Sequence, residues 1–182
     1  MDKGTFFPEN VDFSAWEIPR NHENMTTEVL DPQEKATNHD TWRHIHRVQH
    51  YLLMVVKVLI DRAHKHDQSK LAPPEVGPFS EVTDRLAGIT YGSQEYIETT
   101  RTVLGPALVH HYANNRHHPE HFVNGVNDMT LVDLMEMFCD WKAASERHQD
   151  GNIRKSIDIN AERFDMSPQL RRIFENTINV IQ

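Results

Sequence analysis

RAHKHDQSKL, residues Arg62–Leu71, joins the end of a long helical pattern to a doublet of metal-ligand type. Upstream, Val48, Leu52, Val55, Val56, Leu59 and Ile60 recur at i, i+3, i+4 spacing. That spacing predicts a helix from about Asn38 past Ala63, with these residues on its buried side. Thirty-odd residues is long for one globular helix, so an interruption is expected near Asp61–Lys65. His66 and Asp67 then stand side by side and offer a cation one nitrogen and one oxygen ligand. Adjacent ligands cannot close a metal site alone, so distant residues must complete it.

His44 lies one turn before Val48, on the side expected to be buried. His46 is rotated about 200° from His44 at ~100° per residue, so the two cannot share a face. His44 is therefore the ligand candidate, and His46 and His50 read as solvated polar positions. Residues 1–36 show no sustained period; Pro8, Pro19 and Pro32 predict an extended arm before a domain spanning 37–182.

Pro73 and Pro74 stop helix formation, and Pro74-Glu75 suits the opening of a short turn. A short helix is expected over 81–90 with Ser80 as N-cap, and another from Ser93 to about Leu104. Gly105-Pro106 is expected to break that helix and to start the next, which should end near Arg116 or His117 because Pro119 disfavours helix at His118. Thr130 and Asp133 resemble a capping box for a helix over 131–148, with Leu131, Leu134, Met135, Phe138 and Trp141 along its apolar stripe. Ser167-Pro168 starts a last helix to about Ile181. No strand pattern persists, so the predicted fold class is all-α.

At 182 residues, 38% apolar and 25% charged, the chain suits one soluble domain. A net charge of -8 argues against binding a nucleic-acid duplex. The longest apolar run, Tyr51–Ile60, is too short to span a bilayer, and no signal peptide is read at the N-terminus. Cys139 is the one cysteine, which excludes an internal disulfide and points to a reducing, cytoplasmic setting; its apolar helical context places it in the core.

The thirteen histidines are concentrated. HHYANNRHHPEH supplies His110, His111, His117, His118 and His121, and FCDWKAAS supplies Asp140. On a regular helix the two members of an HH pair diverge by about 100°, so at most one per pair should face a given metal. His111 and His118 are favoured, with His117 close behind. Asp140 falls on a helix whose inward positions are apolar, where a charged carboxylate is costly without a cation beside it.

The order H…HD…H…H…D, His44 to Asp140, resembles the HD superfamily of metal-dependent phosphohydrolases over roughly residues 37–150. That resemblance implies an HD-domain-like helical bundle. It also implies one or two divalent metals (Mn, Co, Zn, Mg or Fe) on His44, His66, Asp67 and Asp140, with His118 toward a second ion. Lys70 falls where the superfamily often carries a Lys after the doublet. Some members use added histidines for a second metal, but the GYP tripeptide of one such branch is absent. The wider pattern HDQSK, PE, YGSQEY, HHYANNRHHPEHF, DLMEMFCDWKAASERHQDG and QLRRIFENT is similar to a phage and bacterial family known only as a domain of unknown function.

The reading is a metal-dependent phosphohydrolase acting on a nucleotide or other small phosphate ester, in a bacterium or a phage-infected cell. Asp67, Lys70, His111 and His117 are its catalytic candidates; Lys70, Arg116 and Arg147 are its phosphate-binding candidates. Two alternatives keep the same scaffold: a di-iron oxygenase, or a non-enzymatic interaction protein. A homo-oligomer is left open.

Overall fold

The computed structural model describes residues 31–86, 88–90, 93–147 and 151–181. Most of the arm expected over 1–36 lies outside them. Among the described residues there are six α-helices and no strand, so the protein is all-α. None of these helices is long and apolar enough to cross a membrane.

Helix α1 spans Pro32–Lys65 without interruption. It starts five residues before the expected domain boundary, because its N-terminus is built for the purpose. The Asp31 carboxylate accepts from the Glu34 backbone N–H (2.9 Å) and the Glu34 carboxylate accepts from that of Asp31 (2.8 Å). Pro32 occupies the first helical position, where its missing N–H costs nothing. The expected break comes only at the end: His66 follows Lys65, and Asp67 is left-handed (φ 56°), which turns the chain into a short 3₁₀ segment, Gln68–Leu71. No residue of α1 is buried. The stripe read as buried is exposed at Val48, Leu52, Val55, Val56 and Ile60 and half-buried at Leu59, and His44 is exposed as well. Periodicity reports that a helix has an apolar side, not what covers it.

Helix α2 (Val76–Leu86) starts earlier than expected and takes Ser80 into its interior. Helix α3 (Gln94–Asn114) begins where expected, with the Ser93 hydroxyl accepting from the Tyr96 N–H at 3.1 Å. It then passes through Gly105-Pro106 instead of stopping there. A residue before proline is disfavoured in the helix partly by its own Cβ, which Gly105 lacks. Leu104, Ala107 and His111 are buried along one side of α3 as a result.

Helix α4 (Leu131–Ser145) carries the expected capping box of Thr130 and Asp133. Its buried residues are Asp133, Met137, Phe138 and Trp141, so the inward side is rotated from the expected stripe and leaves Leu131 and Met135 exposed. Cys139 is exposed, not core. Helix α5 (Ile153–Arg163), capped by the Asn152 side chain, has no counterpart among the expected elements. Helix α6 (Pro168–Thr177) follows the expected Ser167 cap and gives way to a 3₁₀ turn, Ile178–Val180.

The main core lies among α4, α5 and α6: Met137, Phe138, Trp141, Ile157, Ala161, Met166, Phe174 and Ile178. Phe174 meets Phe138 (centroids 5.6 Å apart) and the edge of Trp141 (5.7 Å). This packing fixes α4, which presents Glu136 and Asp140 toward the histidines and Asp133 to Arg62 and Arg116.

Candidate metal centre

Four chain segments meet at the centre. The end of α1 supplies Arg62 and then His66 and Asp67. The residue before α2 is Glu75. The end of α3 and the loop after it supply His111, His117 and His118. Helix α4 supplies Glu136 and Asp140 at i, i+4, on one side of the helix.

Two sets of donor atoms lie within 4.8 Å of one another: Asp67, His111, His117 and His118; and His66, Asp67, His117 and Asp140. Asp67 belongs to both and splits its oxygens between them. Its Oδ1 lies 3.4 Å from His111 Nε2 and 3.5 Å from His117 Nε2. Its Oδ2 lies 3.5 Å from His66 Nε2 and accepts from Lys70 Nζ at 2.6 Å. His66 Nε2 is also 3.7 Å from Asp140 Oδ1. His111 Nε2 and His118 Nε2 are 2.8 Å apart.

The far sides of these rings are held by buried carboxylates. Glu136 Oε1 lies 2.9 Å from His66 Nδ1 and 3.1 Å from His117 Nδ1, the second contact being in ion-pair range but not aligned as a hydrogen bond. Glu75, wholly buried, accepts at 2.8 Å from His111 Nδ1 and at 2.6 Å from His110 Nδ1. The Ser69 hydroxyl donates to Glu75 at 3.0 Å. A carboxylate that accepts a hydrogen bond from Nδ1–H favours the tautomer with the lone pair on Nε2, the one a metal requires. Behind Glu136, Arg62 pairs with both Glu136 (2.5 Å) and Asp133 (3.1 Å), and Arg116 forks onto Asp133 (3.2 and 3.1 Å).

Charge at the centre is polarised. Asp140 first, and then Glu136, pushes the His66 imidazole up to about 10. Burial, followed by the neighbouring His117 and His111, holds His118 down at about 2, so it is a neutral lone-pair donor. Burial and then Lys70 lower His111 as well. Burial opposes the charge of Glu136, but contacts to His117, His66 and Arg62 outweigh it and keep the carboxyl ionised.

Asp67 Oδ1 and His117 Nε2 are buried and have no hydrogen-bond partner. Inward-facing buried polar atoms without partners are rare and costly. Here they lie on the rim shared by both donor sets, and imidazole nitrogens with carboxylate oxygens suit Zn, Mn, Co or Fe. The residues present therefore fit a divalent cation.

Of the residues singled out from the sequence, His66, Asp67, His111, His117, His118 and Asp140 come together. His44 belongs to neither donor set. The rule of one histidine per HH pair fails at His117 and His118. They follow the Asn115 cap and lie outside the helix, where the 100° step does not apply. Lys70 is engaged by Asp67 and lies over the Phe79 ring (5.0 Å). Arg116 is engaged by Asp133, and Arg147 is exposed past the end of α4. Sequence reasoning missed Glu75, Glu136 and Arg62. Their signal was faint: ionisable residues a few positions from ligand candidates, Arg62 four before His66, Glu75 eight after Asp67 and Glu136 four before Asp140.

These features define an all-α protein whose helix ends gather a histidine–carboxylate cluster with a second layer of acids behind it. The chain belongs to the family of unknown function DUF5662, which it matches over residues 33–180. No curated protein and no solved structure matches it.

Proposed function

We propose that the cluster holds one or two divalent metal ions and that the protein is a metal-dependent hydrolase of small phosphate esters. The observation that supports this most is the shared Asp67, whose two oxygens serve two donor sets whose imidazoles His66, His111 and His117 are aimed by Glu136 and Glu75. His111, His117 and His118 would hold one ion with Asp67 Oδ1, and His66 and Asp140 a second with Asp67 Oδ2. A bound divalent cation supplies Lewis-acid polarisation of a phosphoryl oxygen and activation of water near neutral pH.

The protein's own groups do the rest. Asp140 is partly open to solvent and its carboxylate can accept a hydrogen bond from an attacking water. Lys70 places a positive charge beside Asp67 at the same opening, where it can meet the phosphoryl group. Arg116 and Arg62 are committed to Asp133 and Glu136, so they stabilise the frame and do not bind substrate in this reading. The HD-type motif supports the same chemistry through His66, Asp67 and Asp140, without His44.

Elemental analysis of protein purified without chelator or an affinity metal, followed by a phosphatase screen over nucleotides and sugar phosphates, tests the reading. We expect at least one equivalent of metal and turnover that His66→Ala and Asp67→Ala abolish together with the metal. Metal-free wild-type protein would sink it. Iron as the metal with oxygen-dependent and no hydrolytic turnover would move the assignment to an oxygenase on the same donors.

A further inference from the structure

The two oxygens of Asp67 are not equivalent. Oδ1 is buried without a hydrogen-bond partner and faces His111 and His117 at 3.4 and 3.5 Å. Oδ2, turned to His66 at 3.5 Å, also accepts from Lys70 Nζ at 2.6 Å. The chain itself brings Lys70 there. Asp67 is left-handed, and the 3₁₀ turn after it returns Lys70 to the same place, its backbone N–H donating to the Asp67 carbonyl at 2.9 Å. Lys70 Nζ also lies 5.0 Å from the centroid of the Phe79 ring, which in turn meets the His111 ring edge-on. Turn and ring together hold a positive charge against the oxygen assigned above to the second ion.

We propose that Lys70 and the second cation compete for Asp67 Oδ2, and that a bound phosphoryl group relieves the competition by drawing the ammonium to itself. This rests on the two-ion reading of the centre. An ammonium and a divalent ion on one oxygen repel, and more so where water is partly excluded. Asp67 is 22% exposed and Asp140 29%, so screening there is incomplete. An ion on His66, Asp140 and Oδ2 must displace Lys70 or bear its charge. A phosphoryl group offers Lys70 another acceptor, and the lysine, 32% exposed, is within reach of solvent. Whatever factor phosphate contributes to the binding of this ion, the ion contributes to the binding of phosphate. Substrate and second ion therefore load together, with Lys70 as the switch between them.

Calorimetric titration of metal-free full-length protein with Mn²⁺ or Co²⁺, with and without inorganic phosphate, tests the competition. Lys70→Met keeps an unbranched stem beside Phe79 and removes the charge. It should bind its second equivalent on the order of 10-fold more tightly than wild type, the scale on which groups touching a metal ligand tune affinity. Lys70→Arg should return that affinity toward the wild-type value. Lys65→Met, which removes an exposed positive charge near the doublet in the chain, should leave it unchanged. Inorganic phosphate should tighten the second ion by a larger factor in wild type than in Lys70→Met. Wild-type protein that takes up no metal would overturn the metal-centre reading and this proposal with it. Metal uptake by wild type with no tighter second equivalent in Lys70→Met would overturn the competition alone. An equal gain in Lys65→Met would assign the effect to net charge and overturn it too. Equal phosphate factors in wild type and Lys70→Met would overturn the coupling to substrate.

Discussion

At the scale of single residues, the centre is organised by carboxylates that do not face its interior. Glu136 touches His66 and His117 on the nitrogens that point away from Asp67. Glu136→Gln keeps the shape but loses the charge that holds the His66 Nδ1–H and faces His117 Nδ1. Its metal affinity should fall by about 10–100-fold, the usual cost of losing such a support, with the fold intact by circular dichroism. Metal titration against a competing chelator measures this; unchanged affinity would mean that Glu136 only packs. Asp140 gives the sharper test of convergence. Asp140→Asn should lose most of the stabilisation that Mn²⁺, Co²⁺ or Zn²⁺ gives the wild type. In chelator it should stay within ~1 kcal/mol of wild type, because relief from Asp67 offsets the lost contact with His66. Equal metal-dependent shifts of Tm in the two proteins would remove Asp140 from the ligand set.

At the scale of elements, α4 is held at its start by Asp133, which serves as both cap and counter-ion. Its carboxylate accepts from the Thr130 backbone N–H (2.9 Å) and hydroxyl (2.7 Å), and from Arg116. Burial opposes its charge, but Arg116 and Thr130 outweigh that, so its pKa lies below the ordinary carboxylate value. A depressed folded pKa contributes stability that is present above the unfolded value, ~3.9, and is lost as pH falls through the folded one. Asp133→Ala should therefore cost roughly 2–3 kcal/mol at neutral pH. That is less than for a wholly buried pair, because Arg116 is nearly half exposed. The deficit should shrink as the pH is taken from neutral into acid and through the lowered folded pKa of Asp133. Urea denaturation at neutral and at acid pH checks the sign, and a deficit independent of pH would assign the loss to packing alone.

At the scale of the whole molecule, the centre ties the end of α1 to α3, its following loop and α4. A ligand that binds only the folded chain stabilises it by about 2.7 kcal/mol at a hundredfold excess over Kd. Chelator should accordingly lower Tm and re-addition of metal restore it. The donor atoms all lie at or beyond His66, so deletion of residues 1–30 should leave metal content unchanged. Loss of metal on that deletion would place the N-terminal segment in the folded core. Much of the architecture was legible from local chemistry: Ser93, Thr130 with Asp133, and Ser167 with Pro168 each mark a helix start because a side chain must satisfy the first free N–H groups. The same chemistry at Asp31-Pro32-x-Glu34 and at Asn152 went unread, and α1 begins early and α5 is unforeseen for that reason.

The sequence by itself determined that the chain is helical, where most of its helices begin, and that His66, Asp67, His111, His117, His118 and Asp140 are candidate ligands by residue type. Residue type and spacing suffice for those, because capping and ligand chemistry are local properties. Only the tertiary structure decided which donors meet. His44 has the right residue type but joins neither donor set. His117 and His118 have the wrong helical phase yet both reach the centre, because the chain leaves the helix at Asn115. Glu75 and Glu136 gain their roles only through the packing that sets them against imidazoles far away in the chain, up to 70 residues for Glu136 and His66. Whether a polar group is costly or useful depends on what surrounds it, and that is a property of the packed chain.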